Sequence, residues 1–509
     1  MRHLAAIIGL FCIGFTSLSA NDTFSKSRLR DFSDKFTCEQ KNELNKAGLT
    51  SPCTETSSTN GSGPFVPPPN PPAPPLMTNH LPIVIVNNSG LHDSQVFIVM
   101  TVGSTQFIEF NPTTGVGTLQ TAVAGQDPNL YSINLTELPT GSSGRVLYLE
   151  QDATVDLDSA NLWFSLREKL DINVNAGPAI AQPSAVPSVG NTNSYTPFDF
   201  FEITINSQAS SAAAVFCDLT AVTDFSIPLY GFMSTPVPST PSNLGFFQPQ
   251  QYIFSQVATA FANAPESAEW NKLVIKNPSN DTIRILSTQL SISISPASSS
   301  PDSFSFEYLT SPSGFNYISD VLDYYSTNSL TITTPPLTGP VVPSITYVGN
   351  TVPATETIMV TSVPAGNGSM TIDLSGTSIT FDLFASNGPP ITPAALPDPR
   401  VEDEFNKIFT QSIIVGLIPT TTDLNKPFLN KESTHQTFYK YNSNLSTSDQ
   451  TGPWYDLYSK ALHQIADVYT SGYDDEIYSS VQLQSQTIET SGATPTYIGI
   501  TIGNVTDQY

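Results

Sequence analysis

Positive charge is scarce in this chain: 19 Lys and Arg stand against 44 Asp and Glu over 509 residues, for a net charge of −25, and only 12% of residues are charged at all. A nucleic-acid partner needs a basic footprint to neutralise its phosphates, and so few cations cannot supply one. The same shortage excludes docking on an anionic membrane surface. Long apolar runs are missing too, since nothing beyond the first twenty residues approaches the roughly 18 apolar residues of a spanning helix. Cysteines number four and histidines five, with no CxxC pair, so a zinc site of the usual kind is excluded. There is no GxSxG, HExxH or phosphate-binding GxxxxGK[ST], and no GxGxxG following a strand, which removes the chemistries those patterns serve. What is present is material for a core, 39% hydrophobic and 10% aromatic, punctuated by 42 prolines and many Ser, Thr and Asn. That composition predicts short strands joined by many turns, and the length predicts two or three domains.

The N-terminus carries an export pattern. Arg2 and His3 precede an apolar run over 4–15, and the small residues Ser17, Ser19 and Ala20 follow, which is the order of a secretory signal peptide. Cleavage near Ala20 is expected, removing residues 1–20 and leaving a secreted protein, extracellular or periplasmic, with no membrane attachment. Cys12 leaves with the signal. Cys38 and Cys53 lie in a small element, 21–53, and in an oxidising compartment a disulfide between them is expected. Cys217 is then an unpaired, buried thiol on a strand. Residues 54–80, rich in Ser and Gly and then Pro, form a linker.

From residue 81 the pattern is that of strands: LPIVIVNNSG, SQVFIVMTV, RVLYLEQDATVDLD, NLWFSLREKL, PFDFFEITIN and AVFCDLTAVTDFSIPLYGF are apolar or alternating runs ended by turn residues. An all-β sandwich or barrel over 81–240 is expected. Helical spacing comes later, in QQYIFSQVATAFANAP, FNYISDVLDYYS, VEDEFNKIFTQSII and WYDLYSKALHQIADVY, with strands between. Residues 241–509 therefore form a mixed α/β portion whose last strands complete the body.

With His80, His92, His435 and His463 scattered along the mature chain, carboxylates are the candidates for chemistry. In PFDFFEITIN, Glu202, Thr204 and Asn206 alternate with Ile203 and Ile205, so three polar groups share one face of a strand while the isoleucines enter the core. Asp199 has the opposite parity and is expected to be structural. The next strand carries Asp218 and Asp224 at even spacing, and a hairpin would bring one of them beside Glu202. Hydroxyl-rich ligands need directed donors and acceptors, and hydrolysis of a glycosidic bond needs two flanking carboxyl groups.

The run NTNSYTPFDFFEITINSQASSAAAVFCDLTAVTDFSIPLYGF resembles the core of glycoside hydrolase family 64, the thaumatin-like endo-β-1,3-glucanases. NLWFSLREKL, SQVATAFANAPESAEWNKLVIKN, FNYISDVLDYYSTNSLTI and WYDLYSKALHQIADVYTSGYDDEIY are similar to further blocks of that family, in the same order. The resemblance implies a mainly β fold, with a thaumatin-like β barrel or sandwich joined to a mixed α/β domain across a wide cleft that admits β-1,3-glucan. It implies an inverting, two-carboxylate mechanism that uses no metal or cofactor, with Glu202 as acid and Thr204 and Asn206 on sugar hydroxyls. The base is open, because Thr223 falls where the family has Asp; Asp218 is preferred and Asp224 is second. Phe216, Trp163 and Tyr473 are candidates to stack on sugar rings, and Asp474 to line the cleft. The partner expected is a neutral glucan, bound by a monomer. Two alternatives carry weight: a glucan-binding, lectin-like protein that lost the base, and a surface adhesin presenting a β scaffold.

Overall fold

Alternation sets the architecture. Along Phe198–Asn206 the side chains of Phe201, Ile203 and Ile205 are fully buried while Glu202 and Thr204 are half-buried, so the strand turns one face to the core and one to a more open surface. The computed structural model describes residues 67–505 apart from 143, 151–156, 189, 207–213, 235–242, 264–266, 289–316, 338–340, 376–388, 416–427, 431–455, 467, 471–481 and 485–495. The expected signal peptide and the Cys38–Cys53 bridge lie outside the described residues.

Two sheets make the sandwich. In the first, the strand order is Gln482–Gln484, Ala214–Thr220, Phe198–Asn206, Leu157–Leu166, Val96–Val102, Gln106–Phe110 and Gly117–Thr121, with Ile133–Asn134 pairing onto Val96–Val102. All of these pairings are antiparallel. The second has the order Asn243–Gly245, Leu229–Ser234, Tyr497–Ile502, His80–Asn87 and Arg145–Glu150. Tyr497–Ile502 is buried throughout and runs parallel to His80–Asn87, so a C-terminal strand closes the sheet begun by the first described strand. The second half of the proline-rich segment lies against this sheet: Tyr148 and Tyr497 donate their hydroxyl hydrogens to the carbonyls of Pro75 and Pro71.

Contact between the sheets is close. The ring of Phe201 fills the space where a Cβ at Gly231 would sit, so only glycine allows the two backbones this approach. The sheets remain open among the described residues; of the two expected forms, the structure is the sandwich and no barrel closes.

A six-stranded sheet, from Ile391–Ala394 through Ser369–Asp373, Thr357–Val363, Thr346–Val352 and Leu330–Thr333 to Phe428–Asn430, has helices Tyr317–Thr327 and Arg400–Val415 packed on it. Phe405 meets Tyr347 edge-on at 5.7 Å. Asp224–Phe225, Thr282–Leu286 and Val274–Lys276 form a small third layer beside helix Gln250–Ala262, whose Ile253, Phe254, Val257 and Phe261 recur at helical spacing and are buried.

One expected helix is shorter than its periodicity suggests. Among the described residues of WYDLYSKALHQIADVY the helix is Leu457–His463, started by the Asp456 side chain accepting from the Tyr458 and Ser459 N–H groups. Beyond it the backbone of Tyr469 donates to the Leu219 carbonyl and accepts from the Ala221 N–H, so pairing with the sheet replaces further helix.

Candidate active site

Register draws one polar row across the outer face of the first sheet. Thr101, Asn161, Glu202 and Asp218 are successive cross-strand partners on four adjacent strands, and the backbone of Gln482 pairs opposite Asp218 on the edge strand. On one side of this row, Val99, Trp163, Phe200 and Thr220 form a second row, and all four are buried. Trp163 packs on Phe200 at 4.4 Å and donates its indole N–H to the Thr101 hydroxyl at 3.2 Å. On the other side Thr204 lies opposite Phe216, both half-buried. The face thus passes from a closed aromatic floor to an accessible polar surface, and the two acids stand at the transition.

Directly opposed residues on antiparallel strands have Cβ atoms about 4.5–5.5 Å apart, so Glu202 and Asp218 belong to one site. Their charges reach the Cys217 thiol on the opposite face; burial first, then Asp218 and Glu202, push that thiol well above its usual range. Asp218 is nearly fully buried while Glu202 is half-buried. The Thr220 hydroxyl, two residues along the same strand, donates to Asp218 Oδ1 at 2.5 Å.

A bulge shapes the Thr204 end. The register of Leu157–Leu166 against Phe198–Asn206 shifts between Leu157 and Ala160, Ser159 adopts φ 48°, and its N–H donates to the Thr204 hydroxyl at 3.2 Å. Bulges bend a strand and re-aim its side chains, and this one fixes the hydroxyl beside Glu202.

Asp224 stands elsewhere. The strand of Asp218 ends at Thr220, and Asp224 begins a short strand of a different sheet. There its carboxylate lies 2.9 Å from Arg284 Nε, with both side chains buried, and accepts from the Thr223 hydroxyl at 2.9 Å. Arg284 donates to the carbonyls of Ala185 and Thr196, each at 2.6 Å, and lies 4.1 Å over the Phe198 ring. Asp199 accepts from the Ser226 and Ile227 N–H groups, the structural place its parity predicts. Burial raises the pKa of both carboxyls, for Asp199 with the charge of Asp224 added; Arg284 pulls each back down.

Of the residues singled out from sequence, the structure brings together Glu202, Asp218, Thr204 and Phe216, with Asn206 ending the same strand opposite Ala214. It does not bring Asp224 to them, because a salt bridge holds that carboxylate in the interior. Trp163 shares the face but its ring is covered by Phe200 and Phe198, so it supports the floor rather than offering a surface for a sugar. Tyr473 and Asp474 lie outside the described residues. Sequence reasoning passed over Asn161, Thr101 and Thr220. Their signal was the alternation of polar with apolar residues in NLWFS, VMTV and CDLT, each too short to stand out without the register. Asn161 Oδ1 is buried and has no hydrogen-bond partner among the described residues. Among the described residues no group of three or more His, Cys, Asp or Glu could hold a metal ion.

Comparison with known proteins gives the family and the fold. Residues 79–374, more than half of the chain, match the profile of the glycoside hydrolase 64 family, described as β-1,3-glucanase. No curated protein sequence matches the chain. Among solved structures, a laminaripentaose-producing β-1,3-glucanase in complex with laminaritetraose is 16% identical, with a TM-score of 0.56 over 84% of this chain and 99% of that one. A family 64 β-1,3-glucanase domain from Clostridium beijerinckii is also 16% identical, with a TM-score of 0.50 over 84% of this chain and 100% of that one. At such identity the likeness is one of fold.

Proposed function

The chain belongs to glycoside hydrolase family 64, the β-1,3-glucanases, and from that premise we propose that it is a secreted enzyme hydrolysing β-1,3-glucan with Glu202 as general acid and Asp218 as general base. The observation that carries the assignment is the direct cross-strand pairing of these two acids in the polar row. Glu202, half-buried, protonates the leaving glycosidic oxygen; Asp218 takes a proton from the water that attacks the anomeric carbon from the opposite face, and the configuration inverts. Cross-strand Cβ atoms at about 5 Å let the longer Glu side chain splay away, toward the roughly 6.5–9.5 Å that leaves room for a water.

The substrate follows from the chemistry of the face. A neutral polysaccharide needs hydroxyl-matching groups and a flat ring rather than complementary charge, and Thr204, Asn161 and Phe216 supply these residue types near the acids, with Asn206 further along the Glu202 strand in sequence. The structural neighbour whose complex contains laminaritetraose supports a β-1,3-linked glucan such as laminarin. Export rests on the signal-like residues 1–20.

Reducing-sugar release from laminarin tests the reading. The mature protein is expected to release sugar, and Glu202→Gln to lose about 10²–10⁴-fold in kcat, the usual range for a positioned proton donor. NMR of the first-formed anomer reports inversion. Equal rates for parent and variant would sink the assignment, and binding of laminarin without cleavage would establish the lectin-like alternative.

A further inference from the structure

Two acids placed directly opposite each other on neighbouring strands raise a question of proton ownership. Like charges in that arrangement disfavour double ionisation, and inverting hydrolysis needs one of the two acids to hold a proton. An inverting hydrolase works only if that proton sits on the acid facing the leaving group. Burial by itself points the wrong way: Asp218 is the more buried of the two, and desolvation favours the neutral form. Something must reverse that bias.

We propose that Thr220 is the positioning residue that assigns the two roles, holding Asp218 as the carboxylate so that the shared proton resides on Glu202. The inference rests on the hydrolase reading above and deepens it. Thr220 lies on the same strand and face as Asp218, is itself buried, and donates its hydroxyl to Asp218 Oδ1 at 2.5 Å. A hydroxyl donating to a carboxylate stabilises the charged form. In that arrangement Asp218 takes the proton of the attacking water, while Glu202 passes its own proton to the leaving oxygen. Each turnover ends with the proton on Asp218 and the charge on Glu202, and exchange with solvent restores the start. Among the described residues, the titratable groups beside this hydrogen bond are Glu202 across the strand, Cys217 on the opposite face and Tyr469, whose backbone bridges Thr220. Thr220 is not itself in reach of the sugar by its row: it stands with Trp163 and Phe200 in the buried floor.

Thr220→Val keeps the shape and removes the donor. The experiment is the pH dependence of kcat/KM on laminarin for the parent, Thr220→Val and Thr220→Ser. In Thr220→Val the acid limb, which reports ionisation of the base, is expected to move up by about one pH unit or more, with kcat reduced at least tenfold near neutrality and KM little changed. Thr220→Ser, which keeps the hydroxyl, is expected to return the limb to the parental position. A role confined to packing predicts the reverse, since Val fills the space better than Ser. If Thr220→Val does not fold, Thr220→Ala carries the same measurement. An active parent whose acid limb stays in place in the Val or Ala variant, or a Ser variant that fails to restore it, overturns the role of Thr220 and leaves the hydrolase standing. A parent that releases no sugar overturns both.

Discussion

Arg284→Met tests the interior on which the site rests. Arg284 is fully buried, pairs with Asp224 at 2.9 Å, donates to two carbonyls at 2.6 Å and covers Phe198 at 4.1 Å, four residues before Glu202 on its strand. Met restores much of the packing but leaves Asp224 buried without its cation and two carbonyls without donors. Removing one partner of a buried pair costs about 3–5 kcal/mol, and the carbonyl bonds are part of the same loss rather than additions to it. Burial raises the pKa of Asp199 and Asp224 from 3.8, while Arg284 lowers it. From about pH 4 upward the native state therefore binds more protons than the unfolded state, and stability falls as pH rises toward the raised native values. The slope is about 1.4 kcal/mol per pH unit for each excess proton. Without Arg284 that decline continues to higher pH. Urea unfolding followed by fluorescence of the buried Trp163 and Trp270 is expected to show a parent–variant gap that already exists near pH 4, from the lost carbonyl donors, and widens to about 3–5 kcal/mol near pH 7 as the Asp224 charge is uncovered. Adding Asp224→Asn to the variant recovers part of the loss. A gap below about 1 kcal/mol at pH 7, or a double variant no better than the single, refutes the reasoning.

The remaining predictions concern which acid does what and how closely the sheets approach. Asp224→Asn is expected to lower the melting temperature while keeping kcat near the parental value, and Asp218→Asn to abolish sugar release with the melting temperature little changed; the opposite pattern would return Asp224 to the role of base. Gly231→Ala drives a Cβ into the Phe201 ring and is expected to cost about 1–3 kcal/mol in urea unfolding, as overpacking of a filled core does. Combining it with Phe201→Leu should recover part of that loss, and a Gly231→Ala variant as stable as the parent would mean that the sheets can move apart freely.

Much of the sandwich was legible because it is written locally. The alternation of Phe201, Ile203 and Ile205 with Glu202 and Thr204 needs no partner strand to be seen, and the structure buries the first set and not the second. Helix Gln250–Ala262 was equally readable from Ile253, Phe254, Val257 and Phe261. What local pattern could not reveal were pairings between distant segments: Tyr497–Ile502 joins a strand more than 400 residues earlier, and the helix expected over WYDLYSKALHQIADVY stops at His463 because Tyr469 is taken up by the sheet. Periodicity ranks a helix against isolation, and the competing hydrogen bonds lie on another part of the chain.

The same distinction separates the acids. Asp218 and Asp224 are six residues apart, and even spacing puts two side chains on one face only while the strand continues. The strand ends at Thr220 and the backbone re-enters a different sheet at Asp224, so parity carries no meaning across that break. Between Asp199 and Glu202, by contrast, the strand is unbroken, and odd spacing sends Asp199 to the backbone N–H groups of Ser226 and Ile227 while Glu202 meets Asp218. The acids of this region therefore divide into an interior set, Asp199 and Asp224, balanced by Arg284, and a cross-strand pair, half-buried Glu202 and buried Asp218, with the Thr220 hydroxyl on Asp218. A cation beside the cross-strand pair would stabilise both carboxylates and disfavour the proton donor that glycoside hydrolysis needs. A neutral donor such as the Thr220 hydroxyl favours the ionised form of the acid it bonds without adding a charge to the pair, and for that task it suits the site where a second arginine would disable it.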